Sequence, residues 1–239
     1  MLDYASYVQR EALAGPETRL LSVLRTLLAV RNKNKVAQAE GTGSHARMEE
    51  VAHALLSAAL PRFCARHRHL HLKDLTVMLS TYAKMYRPAY RRLFEAVAED
   101  AVQRARHTRN RSTEEHSVWF LEHGPFVLVS FAQARVRDDA VFEAYLQELE
   151  PRLCGLTYES VAIVAYAVAR VGYPCPSLWR RVASELRACG RRWPARSVSH
   201  LLHACQMALA DSAAAWEPGC SASGGPLELL GAAEEVMLS

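Results

Sequence analysis

The segment from 158 to 186, YESVAIVAYAVARVGYPCPSLWRRVASEL, constrains the fold of this chain more than any other. Its first half is apolar almost all the way round, and a Gly and two Pro separate it from a second stretch with an Arg-rich face. A helix that is apolar on every side has to be buried among other helices. The segment therefore predicts a helix pair whose first helix lies between neighbouring pairs, where its Ala side chains permit close approach.

The same pattern recurs when aromatic-Ala and His-Ala dipeptides are aligned. The aligned dipeptides begin at Tyr82, Phe131, Tyr166 and His203, with spacings of 49, 35 and 37 residues. Periods near 35 to 37 residues are typical of stacked helix pairs. We therefore expect an all-α fold, an α-solenoid of about four to five stacked helix-turn-helix repeats. The second helices of three pairs are anchored by Phe94, Phe142 and Trp179.

The periodicity covers only the middle of the chain. We expect a degenerate first repeat or cap over 1–69, the repeat array over 70–205, and a loop with a capping helix over 206–239. Within the ends, the pattern predicts helices over 20–30 and 47–60, a flexible loop over 32–46 and a loop over 210–226. The longer first spacing of the array accommodates an extra polar segment at 103–117.

Punctuating residues predict where the helices begin and end. The pair Asp138-Asp139 is an N-cap candidate ahead of Phe142. Prolines are tolerated in the first helical turn, so four of them are expected at or just before helix starts: Pro88, Pro125, Pro176 and Pro194. Three glycines are expected to stop helices: Gly155, Gly172 and Gly190.

The basic residues are unusually rich in Arg, which supplies 25 of the 29 Lys and Arg residues, and the formal net charge is +4. The guanidinium group of Arg is planar, donates hydrogen bonds to two oxygens of one phosphate at once, and stacks on nucleobases. This composition favours an RNA-facing surface. A GC-rich genome that favours Arg codons would give the same composition.

Basic clusters beside aromatic or His residues are the strongest functional signal, because Arg on phosphate with rings on bases is typical of single-stranded RNA binding. The alternative is a solvated charged face, and an acidic stretch at 138–150 breaks the basic surface. The neighbouring rings are His67, Tyr86, Tyr90, His107 and Trp193. The candidate RNA-binding residues are Arg87, Arg91, Arg92, Arg104, Arg106, Arg109, Arg111, Arg191 and Arg192.

Other chemistry has weaker support in the sequence. Cys64, His67 and His71 share a helix face, but their acid-free, Arg-interleaved context favours a structural or RNA-facing role, so no metal site is expected. No nucleotide-binding loop, nucleophile elbow or metalloprotease motif occurs, and we expect no catalytic residues, no cofactor and no small-molecule substrate.

No apolar stretch is long enough to span a bilayer. The six cysteines form no C-x-x-C pair and predict free thiols in a reducing compartment.

Three segments resemble the octotricopeptide and heptatricopeptide repeats of FAST-kinase-like proteins and organellar RNA-processing factors. They are LKDLTVMLSTYAKMYRPAYRRLFEAVAEDA, GPFVLVSFAQARVRDDAVFEAYLQEL and TYESVAIVAYAVARVGYPCPSLWRRVASEL. The resemblance covers about residues 70 to 205. It implies an α-solenoid, residence in the mitochondrial matrix or, alternatively, a plastid, and contact with RNA. Small members without a catalytic domain look like structural subunits of divergent mitochondrial ribosomes.

The sequence therefore leads to one principal hypothesis and three rivals. The principal one is a non-catalytic repeat protein that binds mitochondrial RNA, ribosomal RNA in particular, beside neighbouring protein subunits in a large complex. One rival is a protein-interaction scaffold in another mitochondrial complex, and a second is an RNA-processing or stability factor. The third is an RNA nuclease, against which stands the lack of paired acidic residues in any motif.

Overall fold

A computed structural model describes residues 20–23, 25, 26, 29, 44–110, 114–189, 192–214 and 226–238 of the chain. Every regular element in the described residues is a helix, and they contain no strand, which confirms the all-α class. The chain divides into two compact units, the first unit Met1–Val97 and the second unit Ala98–Ser239.

The helices of the first unit form where the apolar periodicity places them. Residues 20–23, 25, 26 and 29 are helical, in agreement with the helix predicted over 20–30. The helix predicted over 47–60 is longer than expected and includes part of the predicted loop. The named elements are α1 (Ser44–Arg66), the 3₁₀ helix His67–His69, α2 (Leu72–Lys84), the 3₁₀ helix Pro88–Tyr90 and the first residues of α3 (Arg91–Asn110).

Three buried rings form the centre of the first unit. Phe63 meets Tyr82 edge to face with ring centroids 6.1 Å apart, and Tyr82 meets Tyr90 in the same way at 5.1 Å. The Tyr82 hydroxyl donates to the carbonyl oxygen of Leu56 at 2.8 Å, and the Tyr90 hydroxyl lies 2.9 Å from Nδ1 of His53. Tyr82 is thus a core residue, as the aromatic-Ala alignment expects, and its hydroxyl is satisfied within the core.

The second unit consists of successive helix pairs. α6 lies between α4 and α8 and packs against both, which confirms that the helix with little polar surface is buried. α9 packs against α7 and α8. The elements are α4 (Glu114–Gln133), α5 (Asp139–Leu149), the 3₁₀ helix Glu150–Gly155, α6 (Tyr158–Arg170), α7 (Pro176–Cys189), α8 (Ala195–Ala214) and α9 (Pro226–Leu238).

α4 and α6 end in the same Schellman motif, and this fixes their register. Arg135 and Gly172 both have positive φ, 53° and 62°. The amide of Val136 donates to Phe131 O and the amide of Tyr173 donates to Val168 O, each at 3.0 Å. Phe131 and Val168 are therefore equivalent, 37 residues apart, and the spacing of 35 that aligned Phe131 with Tyr166 is wrong by two residues. The alignment of aromatic-Ala dipeptides paired the buried ring of Phe131 with the half-buried ring of Tyr166.

Burial on α4 and α6 follows the offset of 37 residues, whereas one helix face that is buried on α6 is less covered on α8. On α6, Ala162, Ala165 and Ala169 are buried, whereas on α8 the equivalent Ser199 and Gln206 are exposed and Leu202 is half-buried. These three positions form one helix face at i, i+3 and i+7. Since α6 contacts α8, we assign this face of α6 to that contact; in α8 the same face has no comparable cover among the described helices.

Most of the predicted boundaries are confirmed. The Asp138 side chain accepts from the amide of Val141 at 3.1 Å and caps α5, and Pro176 is the first residue of α7. Pro194 precedes α8 directly, and Gly172 ends α6 in the left-handed region. Gly155 closes a 3₁₀ helix, while Gly190 lies outside the described residues.

Pro125 lies inside α4, so the prediction that it marks a helix start is wrong. Residues 103–110 and 114–117 of the polar segment are helical and extend α3 and α4 rather than forming an insertion between them. Phe120 and His123, which precede the proline, are buried. The packing of this turn outweighs the loss of one backbone donor at the proline. Likewise α8 continues to Ala214, into the loop expected over 210–226.

Candidate nucleic-acid interface

The basic charge of the chain is concentrated in the first unit. Residues 1–97 contain 15 Lys and Arg against 8 Asp and Glu, a net charge of +7, whereas residues 98–239 contain 14 against 17, a net charge of −3. A cationic surface attracts nucleic acid through its phosphates whatever the sequence of the bases. The first unit is therefore where the electrostatic requirement for RNA contact is met.

Three of the predicted RNA-binding residues, Arg87, Arg91 and Arg92, lie together at the start of α3 and are exposed. The 3₁₀ helix Pro88–Tyr90 separates Arg87 from Arg91, and it is held by the bond from the Tyr90 amide to Arg87 O at 2.8 Å and by the buried Tyr90 ring. Arg91 Nε pairs with Glu95 Oε1 at 2.8 Å, and both side chains are more than half exposed. Such a pair contributes only about 0.3–0.5 kcal/mol, so it leaves Arg91 available to a phosphate.

Besides Arg25, four more basic residues of the first unit are exposed and were missing from the predicted set. These four occur between 66 and 84, where acidic residues are rare: Asp74 is the only one. That local scarcity of acids is the signal that could have identified them. They are Arg66, Arg68, Lys73 and Lys84.

The predicted residues of the second unit are in more varied surroundings. Arg104 Nε pairs with Asp100 Oδ2 at 2.9 Å in a partly buried contact, so this guanidinium is already engaged. Arg106 and Arg192 are exposed. Arg111 and Arg191 lie outside the described residues, as does the side chain of Arg109.

Arg187, which is close in sequence to the candidates Arg191 and Arg192, is bound within the fold. Its guanidinium lies 3.4 Å from Glu228 and 3.3 Å from Glu235, both on α9. The arginine links the end of α7 to the last described helix. The charge of Arg187 is therefore neutralised by α9.

The rings expected beside the arginines are mostly unable to stack on a base. Tyr90 and His67 are buried, and Trp193 is buried with its ring 4.8 Å from that of Tyr158. Tyr86 is half-buried and His107 is exposed. The proposed pairing of arginines with stacking rings is wrong for the three buried residues, because aromatic periodicity in a helix pair marks core as readily as surface.

The Cys64, His67 and His71 grouping does not converge in space. His71 is exposed ahead of α2, whereas His67 is buried with Nδ1 3.0 Å from the Cys64 carbonyl oxygen. Burial raises the pKa of the Cys64 thiol, and the nearby Arg92 opposes this in part. Within the residues that the structure describes, no three His, Cys, Asp or Glu side chains are placed to hold a metal ion. The five described cysteines are free thiols.

Several acidic residues of the stretch 138–150 make ion pairs or hydrogen bonds within the second unit. Asp139 pairs with Arg137 at 2.7 Å, and the buried Glu148 pairs with Arg152 at 2.8 Å. Glu150 accepts from the Ser177 hydroxyl at 3.0 Å and so joins the end of α5 to the start of α7. These carboxylates are used within the protein, but the net charge of the second unit stays negative.

No described helix combines the length and apolarity that a bilayer crossing needs. Comparison with known proteins assigns no relative: no family model, no curated protein and no solved structure matches this chain.

Proposed function

We propose that this chain is a non-catalytic helical-repeat protein that binds mitochondrial RNA through its first unit, as a structural subunit of a divergent mitochondrial ribosome. The observation that carries the RNA contact is the net charge of +7 on residues 1–97, with Arg87, Arg91 and Arg92 exposed together. The ribosomal and mitochondrial parts rest on the repeat resemblance described above.

The helix pairs are proposed to be repeats of an α-solenoid. The constant offset of 37 residues between α4, α6 and α8 supports this, because equal spacing of equivalent helices is what a stacked array requires. A rigid array of this kind supplies a shaped support, and exposed arginines on it hold phosphates in place without reading the bases.

A charge-matched pair of variants tests the RNA contact. Arg87→Gln/Arg92→Gln removes two exposed charges from the first unit, and Arg180→Gln/Arg181→Gln removes two exposed charges from α7 in the second. Binding of fragmented mitochondrial ribosomal RNA is measured against salt concentration. The log–log slope should fall by about 0.7–0.9 for each phosphate that is no longer neutralised, in the first variant only. Equal weakening in both variants, or a salt-independent affinity, would refute a first-unit interface.

The cellular assignment is tested by crosslinking in intact mitochondria, with sequencing of the bound RNA and mass spectrometry of the bound proteins. Ribosomal RNA with ribosomal proteins is expected. A broad set of messenger or precursor RNAs would indicate a processing factor instead. Proteins without RNA would indicate a scaffold and would contradict the RNA proposal.

A further inference from the structure

Two groups of exposed arginines that are distant in the sequence lie side by side in the first unit. One group is at the end of α1 and in the 3₁₀ helix that follows it, and the other is at the start of α3. Sγ of Cys64, on the last turn of α1, lies 4.0 Å from the carbonyl oxygen of Arg92, so the two helix ends meet. The two groups are here called the arginine patch: Arg66, Arg68, Arg87, Arg91 and Arg92.

Tyr90 fixes the position of the second group. It lies between Arg87 and Arg91 in the sequence, and its ring is buried. Its hydroxyl lies 2.9 Å from Nδ1 of His53 and 3.4 Å from Oγ of Ser57, both on α1. Because the core holds the two groups on neighbouring helices, the arginine patch is formed before any ligand binds.

The positive charge of the first unit arises in the segment that contains the arginine patch. Residues 60–92 contain eight Lys and Arg against one Asp, a net charge of +7, which equals the net charge of the whole unit. Glu95 pairs with Arg91 in an exposed contact, and Glu50 lies 16 residues before the end of α1, about 24 Å away at 1.5 Å per residue. The patch therefore suits a polyanion.

Aromatic rings on which bases could stack are scarce around the arginine patch. Within the described residues of the first unit, both Phe rings are buried, as are Tyr82 and Tyr90, and Tyr86 is half-buried. The exposed rings are the imidazoles of His69 and His71. Single-stranded RNA is ordinarily bound by stacking its bases on aromatic side chains, whereas an RNA duplex is bound through its phosphates and 2′-hydroxyls.

We infer that the arginine patch binds double-stranded RNA through its phosphates; this inference rests on the proposed function and specifies the kind of RNA. Arginines in two groups on neighbouring helices can contact both phosphate backbones beside a groove of the duplex. Base stacking contributes little, since the rings that would provide it are in the core. The contact holds paired segments of a structural RNA without reading their sequence.

The first test compares the affinity of the full chain for an RNA duplex of about 20 base pairs and for each of its separate strands. The sequence is chosen so that neither strand pairs with itself. The duplex should bind at least about tenfold more tightly than either strand. Equal or tighter binding of a single strand would overturn the inference and leave RNA binding by the first unit standing. Binding of neither would overturn both.

Variants then locate the contact. Arg66→Gln/Arg68→Gln should lower the log–log salt slope for the duplex by about 0.9 for each phosphate lost, whereas the charge-matched Arg180→Gln/Arg181→Gln on α7 should not change it. His69→Gln/His71→Gln should leave duplex affinity unchanged at pH 8, where an ordinary imidazole is neutral. An unchanged slope in the first variant, or a loss of affinity in the histidine variant, would overturn the inference.

Discussion

Removing the hydroxyl of Tyr145 should stabilise the protein, which is the opposite of what the same substitution does at Tyr82. Both side chains are fully buried. The Tyr82 hydroxyl donates to Leu56 O at 2.8 Å, whereas the Tyr145 hydroxyl has no hydrogen-bond partner among the described residues. Burial raises the pKa of both phenols above its ordinary value, so both are neutral at physiological pH.

The expected magnitudes follow from these two environments. A buried hydroxyl without a partner costs about 1–3 kcal/mol, so Tyr145→Phe should increase the free energy of unfolding by about 1 kcal/mol once the small void is allowed for. A made hydrogen bond contributes about 1 kcal/mol net, so Tyr82→Phe should lower the free energy of unfolding by that amount. The Tyr145 ring stays packed against Phe120, whose centroid lies 5.0 Å away, since phenylalanine keeps the same ring.

The assay is urea unfolding of the wild type and each variant, followed by circular dichroism, with hydrogen exchange to read the two units separately. Unchanged m-values would show that the midpoints report stability alone. The free energies of the two variants should differ by about 2 kcal/mol. If Tyr145→Phe destabilises the second unit as much as Tyr82→Phe destabilises the first, the Tyr145 hydroxyl has a partner and the reasoning is refuted.

Two further predictions test the helix ends and the thiols of the second unit. Arg135 has a positive φ that Gly172 adopts without strain in the equivalent position. Arg135→Gly should therefore raise the free energy of unfolding by about 0.5–1 kcal/mol, and Gly172→Ala should lower it by about 1 kcal/mol. A lower urea midpoint for Arg135→Gly than for the wild type would contradict this. Burial raises the pKa of the Cys205 thiol to about 12, whereas Cys154 is exposed. Iodoacetamide at pH 8 should therefore label Cys154 within minutes and Cys205 only on unfolding, as read by peptide mass spectrometry; rapid labelling of folded Cys205 would show that the interior of α8 opens readily.

The sequence predicted the helices better than it predicted their alignment. The all-α class, the N-cap at Asp138 and the burial of α6 follow from local patterns of polar and apolar residues, and the structure agrees with them. Pro125 was misassigned because the rule for proline is local, whereas the packing of Phe120 and His123 on the preceding turn is not. The register between α4 and α6 was missed for the same reason, since residue type does not say which ring is buried.

For the candidate RNA interface, too, the sequence supplies part of the description and the tertiary structure supplies the rest. Composition alone identifies an Arg-rich chain, and the sequence gives the positions of its basic residues. Whether an arginine is available depends on neighbours distant in the chain: Arg187 meets Glu228 and Glu235, while Arg87 and Arg92 remain exposed. The rings differ in the same way, because Tyr90 and Trp193 are covered by residues that no short pattern brings beside them.

The sequence by itself determined that this chain forms amphipathic and buried helices in pairs, because side-chain periodicity and capping act within one or two turns. Only the tertiary structure decided the offset of 37 residues, the boundary between a first unit of positive net charge and a second unit of negative net charge, and which residues of α4, α6 and α8 are left exposed. These depend on which helix faces are covered by other helices. Burial of a helix face depends on contacts with residues that are far away in the sequence, so it cannot be predicted from any local segment of the chain.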